Sequence, residues 1–91
     1  DPDNANALNS LGFILAENAI QLDLARQYCE SAVQRFPQNP AYLDSLALVY
    51  RRQGHLQRAK ELYEQAVRLS HGRQEIVAHY KELLREAGVE V

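Results

Sequence analysis

Three histidines and one cysteine are the side chains best suited to hold a metal or attack a substrate, and their placement favours neither. His55 falls in a turn, His71 at a helix end and His79 on a helix face; none has a second ligand at metal spacing on its own helix. Cys29 has only Arg26 as a basic neighbour on its helix face, so a buried, inert thiol is expected rather than a nucleophile. No HExxH, CxxC or Gly-rich phosphate loop occurs. Sequence order permits a site assembled from separate helices, but no nucleophile, base and orienting group converge. No catalytic activity, cofactor or metal is expected.

The elements that position these residues are clearest from Pro40 to Gly72. Tyr42, Leu43, Leu46, Ala47, Val49 and Tyr50 recur at spacings of three and four, as do Leu56, Ala59, Leu62, Tyr63, Ala66, Val67 and Leu69. That period predicts two amphipathic helices, with a turn at Gly54-His55 between them. Ala47, Ala59 and Ala66 sit where a bulky side chain would hold the helices apart.

The pattern resembles the tetratricopeptide repeat, a helix–turn–helix unit of about 34 residues. With Pro40 opening the unit, Leu43 stands in the place usual for Trp, Leu46-Ala47 in the Leu-Gly places and Tyr50 in the aromatic one. Gly54 falls at the turn, and Ala59, Tyr63 and Ala66 match the second helix. His71-Gly72 replaces the closing proline. Leu8, Leu11, Gly12 and Leu15 repeat the first-helix pattern upstream, and Leu22, Ala25, Cys29, Ala32 and Val33 the second, with Cys29 in a place usual for a bulkier residue. Pro2 and Pro37 are 35 positions apart, Pro37 and His71 34, because the turn from Asn18 to Leu22 is one residue longer.

The resemblance implies an all-α fold of about five helices: antiparallel pairs stacked as a right-handed solenoid across one domain, 1–91. Residues 5–38 are then repeat one, 39–72 repeat two, 73–88 a closing helix and 89–91 a tail. Residues 1–4 look like the end of an upstream repeat, or simply an N-cap region. In the closing helix Ile76, Tyr80, Leu83, Leu84 and Ala87 form an apolar stripe, and Glu75, His79, Glu82 and Glu86 a polar one. The runs ALNSLGFILAE and PAYLDSLALVYRRQG look like segments of large bacterial tetratricopeptide-repeat proteins, some of them envelope-associated; the compartment stays open between cytoplasm and periplasm.

Composition excludes some functions. The chain has 91 residues and a net charge of −2, which argues against a general nucleic-acid binder. Residues 1–50 sum to −4 and 51–91 to +2, but no aromatic platform accompanies the arginines of the second part. No apolar run is long enough to span a membrane.

The resemblance also implies what the fold is for. In such arrays the first helices of successive pairs line a concave groove. The groove positions include Asn6, Asn9 and Phe13 in the first pair and Asp44, Leu48, Arg51 and Arg52 in the second; the closing helix adds Glu75, His79 and Glu82. Asn9 and Asp44 suit the main chain of an extended peptide, Phe13 and Leu48 an apolar side chain, and Arg52 an acidic residue or chain end. Relatives that grip the C-terminal carboxylate of chaperone tails use a Lys/Asn/Asn/Lys/Arg clamp. Here those places hold Asn9, Phe13, Ser45, Glu75 and His79, so that clamp is missing. The leading expectation is a non-enzymatic module that binds a protein or peptide segment in the groove. The alternative is a structural piece, the end of a longer repeat array or a self-associating unit that stacks through Leu8, Leu11 and Ile14 on its first helix.

Overall fold

The computed structural model describes residues 4–88. Residues 1–3 and 89–91 lie outside them, and with them most of the expected upstream repeat end and the expected tail. Five helices follow in order: α1 (Ala5–Glu17), α2 (Leu22–Arg35), α3 (Pro40–Arg52), α4 (Leu56–Leu69) and α5 (Gln74–Glu86). The fold is all-α. α1 packs on α2 and α3 on α4 as pairs, α3 also contacts α1 and α2, and α5 rests on α4.

Local chemistry starts and stops these helices. Asn4 accepts a hydrogen bond from the Ala7 amide at 3.1 Å, and Asn39 from Ala41 and Tyr42 at 2.9 and 3.2 Å, with Pro40 in the first turn of α3. Three helices end in one pattern of paired backbone bonds: Ile20 to Leu15 and Ala19 to Ala16; His55 to Tyr50 and Gly54 to Arg51; Gly72 to Val67 and His71 to Arg68. This closure places one residue in the left-handed region. Gly54 does so without a β-carbon, but Ala19 (φ 53°) and His71 (φ 57°) accept the strain. After α4, His71 and Gly72 (φ 81°) both stand in the left-handed region.

Burial follows the expected stripes. Ala25, Ala32, Ala47, Ala59 and Ala66 are fully buried, together with Leu43, Val49, Tyr63, Ile76 and Leu83, so the helices approach closely along the small residues. Gly12 shows the closest approach, its α-carbon facing Cys29 and the Ala25 carbonyl of α2. Burial pushes the Cys29 thiol up to about 12, consistent with an inert packing residue. Two expected stripe members differ. Ala87 is exposed, because α5 ends at Glu86 and Ala87 only caps it. Leu11 is 50% exposed although Leu46, its counterpart in the repeat, is 4% exposed. The reason is placement: α3 lies between α1–α2 and α4, whereas α1 meets only α2 and α3 among the described helices.

Candidate binding groove

α1, α3 and α5 lie side by side in repeat register, and the polar contacts between them join residues 31 to 36 positions apart. His79 Nδ1 sits 3.0 and 3.1 Å from the two carboxylate oxygens of Asp44. Arg51 donates from Nε to Glu86 at 2.9 Å and from a second nitrogen to the same oxygen. Arg52 donates from Nε to the Ala16 carbonyl at 3.2 Å, supplying a cation to the C-terminal end of α1. The Tyr42 hydroxyl donates to Asn6.

The Asp44, Arg51 and Arg52 contacts frame a pocket of about 110 Å³ between the three helices. Phe13 and Leu48 give it apolar walls, and Tyr63 of α4 adds to its lining. Asp44, Arg51, Arg52 and His79 line it, with Glu17 and Glu82 completing the rim. Burial raises the Asp44 carboxyl above its ordinary range, and the contact with His79 works against that shift. Burial likewise pushes Tyr63 up to about 12, aided by the charge of Asp44. Glu86, hydrogen-bonded by Arg51, is held below the usual carboxylate range.

Seven of the side chains expected in the groove therefore share one pocket: Phe13, Asp44, Leu48, Arg51, Arg52, His79 and Glu82. Their states differ from the simple expectation. Leu48 is 8% exposed and forms wall rather than protrusion. Arg51 is occupied by Glu86 and Glu82, so it stiffens the groove instead of reaching out of it. Asn6 and Asn9 do not line the pocket. Asn6 is tied to Tyr42, and the Asn9 Oδ1 atom is buried without a partner. Glu17 and Tyr63 were not expected there. The repeat register points to Glu17, since it lies 35 positions before Arg52, but Tyr63 carries only the signature of a core aromatic.

Among the described residues, no group of three or more His, Cys, Asp or Glu could hold a metal ion. No described helix is long and apolar enough to cross a membrane.

The paired helices, the buried alanines and the register of about 35 residues coincide with one further finding: a family model described as Tetratricopeptide repeat matches residues 3–70. The chain belongs to the tetratricopeptide-repeat (TPR) family. It is also similar to a curated TPR repeat-containing protein of Pseudomonas aeruginosa, with 38% identity over 82 residues. The match takes in 90% of this chain but only 14% of that bacterial protein, so the chain spans about one-seventh of its relative. TPR repeats generally mediate protein–protein interaction, and the pocket lies on the face where first helices of successive TPR units meet.

Proposed function

We propose that this chain is a non-enzymatic binding module that takes an extended segment of a partner protein along the groove of α1, α3 and α5. The observation that carries the reading is the shared pocket, whose walls come from all three helices and whose polar rim is held by contacts between them. A rim fixed before binding spares the partner part of the ordering entropy that weakens flexible sites. Selection of displayed random peptides against the immobilised chain tests this. Enriched peptides should lose binding to Phe13→Asp, a variant at a half-buried wall position, without loss of its helical signal. Peptides that bind wild type and Phe13→Asp alike would refute it.

A second reading has its own observation. Leu11, Ile14 and Ile20 are 50%, 54% and 51% exposed, and all lie on α1 or the turn after it. Glu17 is the one charged residue of α1. Such a face favours self-association. Light scattering across concentration tests it: mass should rise toward two chains and return to one in Leu11→Glu. A constant monomer removes this reading.

A further inference from the structure

Most ionisable groups lining the groove pocket are already engaged. Asp44 is held by His79, and Arg51 by Glu82 and Glu86. Arg52 gives its Nε to the Ala16 carbonyl, and its charge acts on Glu86. Two carboxylates keep capacity at the rim. Glu17 makes no hydrogen bond or ion pair with any described residue. Glu82 is half exposed and only 3.5 Å from one Arg51 nitrogen.

The lining as a whole holds three carboxylates and two guanidiniums, with His79 beside them. Leaving His79 aside, the carboxylates outnumber the guanidiniums by one. Glu17 stands in the last turn of α1, where carbonyl ends make the terminus negative; α1 has no basic residue of its own there, and Arg52 of α3 supplies a cation to it. A cation brought to the rim neutralises the lining; an anion brought to Arg52 doubles its excess of negative charge. Two apolar side chains, Phe13 and Leu48, stand among these polar groups in the lining. At about 110 Å³ the cavity admits one side chain, since whole small-molecule ligands use sites of ~300–1,000 Å³.

We infer that the pocket receives one lysine or arginine side chain of the partner segment, so that the groove selects basic peptides. The aliphatic stem lies along Phe13 and Leu48, and the cationic head sits between Glu17 and Glu82. Long cationic side chains combine these two environments, an apolar stem and a charged tip in water. The inference rests on the groove being the binding surface, and it adds the chemistry of what enters.

Terminally blocked pentapeptides Ala-Ala-Xaa-Ala-Ala, with lysine, norleucine or glutamate at Xaa, test it by amide chemical-shift titration. The lysine peptide should shift residues 13, 17, 48 and 82 saturably and bind about fivefold or more tightly than the norleucine peptide, a factor set by partly exposed ion pairs. The double change Glu17→Gln with Glu82→Gln should remove that advantage. Both glutamates are exposed, so the fold should survive. Preference for glutamate, a lysine preference unmoved by the double change, or no groove shift from any of the three would overturn the inference. Display-selected peptides separate it from the groove reading. Groove binders without a basic residue at the pocket refute the lysine pocket alone, whereas absence of any groove binder refutes both.

Discussion

Replacing Gly12 by alanine sets two effects of known sign against each other. Within a helix, Gly→Ala adds about 0.5–1 kcal/mol of stability by removing backbone freedom from the unfolded chain. At Gly12 the new β-carbon would overlap Cys29 Sγ and lie 2.9 Å from the Ala25 carbonyl oxygen and 3.3 Å from the Cys29 nitrogen. The sulfur belongs to a fully buried side chain and the other two atoms to the backbone of α2, so relief requires α1 and α2 to separate. Overpacking of this kind costs about 1–3 kcal/mol. The clash should win, leaving Gly12→Ala destabilised by about 1–2 kcal/mol, equivalent to roughly 4–10 °C in Tm at this chain length. Urea denaturation of wild type, Gly12→Ala and Gly12→Ala/Cys29→Ala measures it. The added Cys29→Ala should recover part of the Gly12→Ala loss, because it removes the sulfur but leaves the backbone contacts. A Gly12→Ala chain as stable as wild type, or more so, would refute the close packing of α1 on α2.

Three other perturbations have definite expectations. Ala19→Gly places glycine at a left-handed position (φ 53°) and should raise stability by about 0.5–1 kcal/mol in the same urea assay. Arg51→Met frees Glu82 and Glu86 and should cost about 1 kcal/mol, a figure reduced because Glu86 is 43% exposed. Amide exchange should then accelerate in α5, which buries only Ile76 and Leu83, before it does so in α1 or α2. The lowered Glu86 makes its contribution above its ordinary range and loses it as pH falls through the lowered value, so wild type and Arg51→Met should converge in acid. Cys29 should react with a soluble disulfide reagent only at the rate of unfolding. Its contribution to stability is complete below the ordinary value of 9.0 and fades as pH rises toward about 12; rapid thiol labelling of the native chain would contradict this.

Much of the fold was legible because its determinants are local. Asn39-Pro40, the stripe from Tyr42 to Leu69 and Gly54 specify start, buried face and stop within a few residues of one another. The alanine positions were legible because small residues at helical spacing have little use outside close packing. Leu11 was less so, because its type matches Leu46 while its exposure depends on which helices lie beside α1. The pocket was legible through register: Phe13 and Leu48, or Glu17 and Arg52, stand 35 positions apart and so come to neighbouring places on the face. What register cannot give is the pairing state. Whether Arg51 reaches into solvent or folds onto Glu86, and whether Asn6 meets a ligand or Tyr42, depends on side-chain geometry between helices.

The central claim is that the groove of α1, α3 and α5 is where this TPR chain meets its partner. Chemical-shift mapping with a display-selected peptide tests that most directly. The account predicts saturable shifts clustered at Phe13, Asp44, Leu48, Arg52 and His79. Shifts confined to Leu11, Ile14 and Ile20, with the groove amides unmoved, would contradict it.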